Sequence, residues 1–140
     1  MTNAFFKVPR PANEPALAYA PGSPERAALK KELNAQAAQV INIPLIIGGK
    51  EIFTESTIDV VMPHDHGHVL AKCSVTGEKE LKQAVDAALA AKAAWQSFPW
   101  EQRAAVFLKT AELISGPMRA RMNAATMLGL VSGYDARDNT

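Results

Sequence analysis

The chain has few of the residues and segments that mark membrane, secreted or disulfide-bonded proteins. A single cysteine, Cys73, among 140 residues excludes an internal disulfide and fits a reducing compartment. No apolar run approaches the ~20 residues that a membrane-spanning helix needs. Residues 1–22 have neither the long apolar centre of a signal peptide nor the Arg-rich amphipathic helix of a transit peptide. We therefore expect a cytoplasmic protein without a membrane partner.

Clustered charge and phosphate-binding glycine motifs are also missing. Lys and Arg number 15 against 14 for Asp and Glu, so the formal net charge is only +1. Nucleic-acid binding needs clustered basic residues, and this balance argues against it. No predicted strand is followed by G-x-G-x-x-G or G-x-x-x-x-G-K-[ST]. Hydrophobic residues make up 48%, which is enough for one modest domain.

What the sequence does contain is a long helical block at residues 76–128, on which the chain is organised. Breaks at residues 97–99 and 116–117 divide it into three helices. We expect Thr76 to cap the first helix, and Gly116 to end the second in a left-handed conformation. Apolar residues repeat at a period of 3.6, which predicts a stripe on each of the first two helices. The stripe residues are Leu81, Val85, Ala88 and Trp95, then Ala104, Phe107, Leu108, Ala111 and Ile114.

The residues before this block predict an arm, a helix and several strands. Five prolines lie within the first 24 residues, so residues 1–22 should form an extended arm. Its apolar residues Phe5, Phe6, Leu17 and Tyr19 should lie against a surface, the alternative being a disordered leader. A helix should begin at Ser23, with proline at its first position.

Residues 43–75 change to the period of strands. Gly48 and Gly49 should turn a hairpin between residues 43–47 and 50–54, because short hairpin turns require positive φ. Residues 57–62 and 69–75 read as further strands, with residues 64–67 as a connection. From the residues alone, the chain is an α+β unit.

Two features invite a chemical interpretation. His64, His66 and His68 could hold zinc through three imidazoles, but Gly67 indicates a turn, and a solvated turn is the stronger interpretation. Cys73 could be a nucleophile, yet its phase with Val69 makes it a buried core residue.

Aromatic and basic residues give two weaker candidates. Trp95 and Trp100 flank the first break between helices, where packing anchors are more plausible than a ligand-stacking site. The arginines at positions 103, 119 and 121 could bind an anion, but a solvated face is the simpler interpretation. No catalytic, cofactor-binding or metal residue is therefore assigned.

The order of these elements resembles the N-terminal part of the aldehyde dehydrogenase superfamily. A narrower similarity links the chain to the delta-1-pyrroline-5-carboxylate dehydrogenases, over roughly residues 13–129. The superfamily-like motifs are residues 47–51, 62–67, 69–72, 83–95 and 101–105, and the narrower ones are residues 19–26, 66–72 and 107–117.

This resemblance implies a fold and an activity. The fold would be the N-terminal portion of an α/β, aldehyde dehydrogenase-like structure over residues 23–130, followed by a divergent, disordered tail at 131–140. Such enzymes oxidise L-glutamate γ-semialdehyde to L-glutamate with NAD in proline degradation, through a cysteine nucleophile and a glutamate base. We expect the complete enzyme to be a homo-oligomer.

The family's catalytic and cofactor-binding residues would follow position 130, and Cys73 does not occupy the catalytic position. We therefore expect a truncated or frame-shifted N-terminal fragment that binds no NAD, has no turnover alone and exposes its apolar stripes. The alternatives are a self-standing protein-interaction module and a metal-binding protein that uses the three histidines.

Overall fold

A computed structural model of the chain describes residues 5, 7 and 9–130. Within them, one helix precedes five strands of three to ten residues, and three helices follow. The elements are α1 (Pro24–Ala37), β1 (Ile41–Ile43), β2 (Leu45–Ile47), β3 (Lys50–Ile52), β4 (Thr57–Met62), β5 (Asp65–Ser74), α2 (Glu78–Ser97), α3 (Trp100–Ser115) and α4 (Arg119–Gly129). The predicted tail at 131–140 lies outside the described residues.

Helix α1 begins where the sequence predicts. The Ser23 hydroxyl accepts a hydrogen bond from the Arg26 amide at 3.4 Å, and proline occupies the first turn, where its missing N–H costs nothing. Glu25 lies in the same turn, at the positive end of the helix dipole. The capping prediction is confirmed.

The larger sheet has the order β1-β5-β4, with β1 parallel and β4 antiparallel to β5. The predicted connection at 64–67 is wrong beyond its first residue. Pro63 and His64 alone make the turn, because Met62 already pairs with Asp65. Gly67 is therefore a strand residue, and its amide donates to Asp65 Oδ1 at 3.2 Å. The three-residue strand β1 was not predicted.

The hairpin of β2 and β3 confirms the glycine prediction. Gly48 and Gly49 have φ of 58° and 76°, a region that other L-residues enter at a cost. The turn places Leu45 opposite Ile52 and Ile47 opposite Lys50.

Two predicted helix boundaries need correction. Gly77, not Thr76, caps α2, and its amide donates to Glu80 Oε2 at 3.0 Å. Gly116 has φ of −103°, so its role does not depend on left-handed backbone. A Cβ at that position would lie 2.9 Å from the Glu112 carbonyl oxygen, which explains glycine by close approach.

The small hydrophobic core of the described residues is centred on helix α4. It packs against α1, α3 and β4, and its Ala124 is fully buried. Among the described residues, the other buried hydrophobic side chains are Met62 and Ala71. Cys73 is only half-buried, so the prediction that it is a buried core residue is wrong. Its strand β5 pairs with β1 and β4 on its two edges, but no other described element completely covers the face of the sheet at Cys73.

The arm reaches α4 through polar contacts. The Arg119 guanidinium donates to the Pro15 carbonyl oxygen at 3.0 Å, and Asn123 Nδ2 donates to the Tyr19 hydroxyl at 2.9 Å. Tyr19 is half-buried, as predicted, whereas Leu17 is 39% exposed. Phe5 is fully exposed, so the prediction that it lies against a surface is wrong, and Phe6 lies outside the described residues.

Candidate functional site

The three histidines do not converge on one point. His64 lies in the β4–β5 turn and His66 is exposed on β5. His68 instead turns toward α1, where its Nε2 lies 2.8 Å from the Ala37 carbonyl oxygen and donates to it. Over the described ranges, no three His, Cys, Asp or Glu side chains are grouped as metal ligands would be.

Cys73 lies in the central strand of the larger sheet, opposite Ile43 on one side and Ile58 on the other. Its sulfur is 3.9 Å from the Ser74 carbonyl oxygen, a long contact to its own neighbour. Aliphatic residues on both edges give the thiol none of the charged partners that activate a nucleophile.

The arginines at 103, 119 and 121 occupy separate places and do not form one anion site. Arg119 is engaged with the arm, which corrects its prediction as part of a solvated face. Arg121 is exposed on α4. Arg103 is half-buried on α3, and its Nε is inaccessible to water and has no hydrogen-bond partner in the described structure.

A dinucleotide site can be tested against the helix N-termini, where pyrophosphate usually binds. The glycine turn of the β2–β3 hairpin leads into a strand and does not begin a helix; it lies beside the middle of α2, where a Cβ at Gly48 would be 3.6 Å from that of Ala87. The first turn of α2 contains Glu78 and Glu80, and Glu80 already occupies the capping amide. The first turn of α3 contains Glu101. These carboxylates would repel a phosphate at the N-termini of α2 and α3, whereas the first turn of α4 contains no carboxylate.

Two grooves lie beside the arm. The larger, of about 550 Å³, lies between the arm, α1 and α4. The smaller, of about 480 Å³, lies between the arm and the C-terminal half of α3 with the start of α4. Both are lined by Leu17, Tyr19 and Asn123. The Asn123 side-chain amide donates a hydrogen bond to the Tyr19 hydroxyl. The two grooves therefore lie on either side of the same contact, the one that Tyr19 of the arm makes with Asn123 of α4.

The apolar stripe of α2 is present but uncovered. Leu81, Val85 and Leu89 lie four residues apart and therefore on one helix face. All three are exposed, Leu89 by 63%, and so are the other residues of the predicted stripe, Ala88 and Trp95. The prediction that the chain exposes its stripes is confirmed for α2.

A second uncovered face belongs to α3. Trp100, Phe107 and Ile114 are spaced by seven residues, so they lie on one side of the helix. All three are exposed, Phe107 by 68%. We call Trp100, Phe107 and Ile114, with Arg103 between the first two, the α3 apolar face. Arg103 belongs to it because it is three residues after Trp100 and four before Phe107.

The tryptophans do not anchor packing between the helices of this chain. Trp95 is 43% exposed and Trp100 48% exposed. The Trp95 ring lies 6.3 Å from that of Phe98, which is itself exposed, so this pair also faces outward. The anchoring prediction is wrong within these residues. The candidate functional feature of the chain is thus a broad apolar surface on α2 and α3.

None of the helices in the described part of the chain has the length and apolarity required to cross a bilayer.

A model of the aldehyde dehydrogenase family matches residues 52–133, which is more than half of the chain. Among curated proteins, the chain is 45% identical over 127 residues to the delta-1-pyrroline-5-carboxylate dehydrogenase of Agaricus bisporus, covering 90% of this chain and 23% of that protein. It is 43% identical over 118 residues to the mitochondrial enzyme of Homo sapiens, covering 84% of this chain and 21% of the human protein.

Solved structures give the same similarity. The delta-pyrroline-5-carboxylate dehydrogenase from Mycobacterium tuberculosis, bound with NAD and cobalamin, superposes with a TM-score of 0.87 at 43% identity, over 91% of this chain and 24% of that one. The 1-pyrroline-5-carboxylate dehydrogenase of Thermus thermophilus superposes with a TM-score of 0.79 at 26% identity, over 88% and 24%. The fold is the α/β arrangement of the N-terminal part of aldehyde dehydrogenases. The chain spans about a quarter of the length of these relatives.

Proposed function

Because the chain belongs to the aldehyde dehydrogenase family, we propose that it forms the N-terminal part of an NAD-dependent 1-pyrroline-5-carboxylate dehydrogenase. The complete enzyme would oxidise L-glutamate γ-semialdehyde to L-glutamate in proline degradation. Residues 23–130 would be the part that belongs to the enzyme's fold. This chain alone would be inactive.

One observation carries the proposal. Identity of 43–45% to the Agaricus bisporus and Homo sapiens proteins extends over 84–90% of this chain, and both are delta-1-pyrroline-5-carboxylate dehydrogenases. Similarity at that level over nearly the whole chain supports more than a shared fold.

The division of labour follows from the chemistry of the residues. Aldehyde oxidation by this family needs an activated nucleophile, a base and a bound dinucleotide. Cys73 lies between Ile43 and Ile58 of the neighbouring strands, and the first turns of α1, α2 and α3 carry carboxylates. NAD would therefore be held by the remainder of the enzyme. The role left to this chain is structural: it would support that remainder with its uncovered helices.

The test is an assay of NADH formation from γ-semialdehyde. The purified chain should give no more NADH than an inert control protein. Co-expressed with the part of the Mycobacterium tuberculosis dehydrogenase that it does not match, it should restore turnover, whereas that part alone should not. Turnover by the chain alone would contradict its structural role. Failure to restore turnover would contradict the proposal as a whole.

The alternative of a self-standing interaction module needs a complete core. The described residues bury Met62, Ala71 and Ala124 as their hydrophobic core while α2 and α3 remain uncovered. This small core supports the dehydrogenase proposal over the module.

Assembly and location are further parts of the proposal. We propose that the complete enzyme is a homo-oligomer and that it acts in the cytoplasm. The human and mouse relatives are named as mitochondrial, so imaging of the tagged gene product beside a mitochondrial marker is the measurement that decides the location.

A further inference from the structure

The larger of the two grooves beside the arm has the size of a small-molecule site. Its walls are the arm, α1 and α4, and its volume of about 550 Å³ lies within the range of about 300–1,000 Å³ that such sites occupy. Leu29 and Leu33 of α1 and Met127 of α4 line it, and all three are half-buried. They give the groove an apolar wall that a ligand can reach.

The charged residues that line this groove are all positive. They are Arg26 and Lys30, and none of the described carboxylates lines it. The two cations are four residues apart on α1, so they lie on one face of the helix, and like charges at this spacing repel each other. No acidic residue lies three or four positions from either of them in the sequence, so the helix itself supplies no compensating charge.

The arm forms the wall opposite α1, and Tyr19 fixes it there. The Arg26 guanidinium donates to the Tyr19 carbonyl oxygen at 3.2 Å, and Asn123 Nδ2 donates to the Tyr19 hydroxyl at 2.9 Å. Lys30 takes part in neither of the two ion pairs that the described residues form. The attraction between the Arg26 charge and an anion does not depend on which group its guanidinium donates to. The groove therefore combines an apolar wall with positive charge, and an anion with an apolar body is its complement.

We propose that this groove binds a small carboxylic acid with an apolar chain. The carboxylate lies beside Lys30 and Arg26, where it offsets their mutual repulsion, and the chain lies along Leu29, Leu33 and Met127. This inference goes beyond the proposed function and does not depend on it, because the arm, α1 and α4 of this chain supply the walls of the groove.

The experiment uses the full 140-residue chain, with octanoate as the probe and isothermal titration calorimetry as the measurement. Octanol is the matched ligand control, because it has the same apolar chain without the charge, and it reports binding to the exposed faces of α2 and α3. Lys30→Gln tests the charge of the groove. Lys31→Gln is its matched control, because Lys31 is exposed on α1 and does not line the groove.

A second pair of variants tests the apolar wall. Leu33→Glu and Leu33→Gln introduce side chains of nearly the same size, so the loss of packing is shared and the difference between them is the charge. Leu33→Glu places a carboxylate among the groove residues, where it repels octanoate and not octanol.

We expect the parent chain to bind octanoate at least about threefold more tightly than octanol. Lys30→Gln should weaken octanoate binding about threefold to fivefold, the range of a partly exposed charge pair, and should leave octanol binding unchanged. Lys31→Gln should change neither. Leu33→Glu should bind octanoate at least about threefold more weakly than Leu33→Gln does. Added salt should weaken the binding of octanoate and not that of octanol.

Three results overturn the inference. Equal affinities for octanoate and octanol would show that the groove does not recognise the carboxylate. Equal losses in Lys30→Gln and Lys31→Gln would show that only the net charge of α1 attracts the probe. No binding of octanoate at all would leave the groove without this ligand, while the proposed function would stand on its own assay of NADH formation. Far-UV circular dichroism identifies an unfolded variant, and if the Leu33 variants unfold, the comparison of Lys30→Gln with Lys31→Gln decides, because both side chains are exposed.

Discussion

His66 and His68 show how neighbouring residues of one type acquire different roles. Both lie on β5, two positions apart, in the stretch between Asp65 and Val69 where the register with β4 shifts. His68 reaches the carbonyl at the end of α1, while His66 is exposed. The first connects two elements of the fold, and the second contacts solvent.

We predict that His68→Ala lowers the free energy of unfolding by about 1 kcal/mol, because a partly buried hydrogen bond to the Ala37 carbonyl is lost. His66→Ala is the control and should change it by less than about 0.5 kcal/mol. Urea denaturation measures both. Equal losses in the two variants, or stabilisation of the parent chain by zinc that both variants remove, would favour the metal-binding alternative.

Tyr19 carries a second contact between distant parts of the chain. Its φ of 50° is unusual for a residue with a side chain, and costs about 1 kcal/mol or more. Asn123 donates to its hydroxyl and the Arg26 guanidinium donates to its carbonyl oxygen at 3.2 Å. These two hydrogen bonds stabilise the arm in a backbone conformation that is unfavourable by itself.

We predict that Tyr19→Phe and Asn123→Ala each destabilise the chain by about 1 kcal/mol, since each leaves the other's polar group without its partner. The double variant should lose little more than either single one, because the two residues share one bond. A double-mutant cycle by urea denaturation gives the coupling. Fully additive losses would show that the contact does not hold the arm.

Among the secondary-structure elements, the β2–β3 hairpin depends most directly on backbone geometry. Its turn needs positive φ at two successive residues, and glycine supplies it without steric cost. A Cβ at Gly49 would meet no atom within 4 Å, so space is not the constraint there. The backbone conformation alone determines the effect of a substitution.

Gly49→Ala should therefore destabilise the chain by about 1 kcal/mol. Gly129→Ala is a matched control, because Gly129 lies at the end of α4 without positive φ and without close neighbours. It should be neutral or should stabilise by up to about 1 kcal/mol, because alanine favours helix over glycine. Thermal unfolding of the two variants compares them, and the same sign of shift in both would refute the explanation.

For the molecule as a whole, the distribution of apolar surface is the main feature. Helices α2 and α3 carry regular apolar faces, yet the buried core is concentrated around α4 and the larger sheet. Exposed apolar surface of this extent marks an interaction site. We predict that the chain alone binds a hydrophobic dye strongly and that assembly with the remainder of the enzyme suppresses this binding. A chain that binds no dye and unfolds in one sharp transition would be self-sufficient.

Trp95→Ala tests the same idea in two contexts. In the chain alone it should cost less than about 0.5 kcal/mol, because the side chain is already 43% exposed. In the assembled dehydrogenase it should cost on the order of 3 kcal/mol if the remainder covers the ring. Unfolding of both forms is measured by circular dichroism. An equally small cost in both would place Trp95 outside the covered surface.

Local signals in the sequence predicted most elements correctly. Ser23 with its following proline, the Gly48–Gly49 turn and the 3.6-residue period of the helical block each act within a few residues, so they can be interpreted without the fold. The β5 start was missed because it depends on pairing with β4, and β1 because three residues carry too little pattern.

The roles of side chains depended on tertiary structure. Periodicity showed that α2 and α3 each have an apolar face, but only the packing showed that these faces are uncovered while α4 packs against α1, α3 and β4. The partner of His68 is 31 residues away and that of Tyr19 is 104 residues away, and no short pattern encodes contacts over such distances. Arg103 differs from the exposed Arg121 only by its burial, and burial is a property of the folded chain.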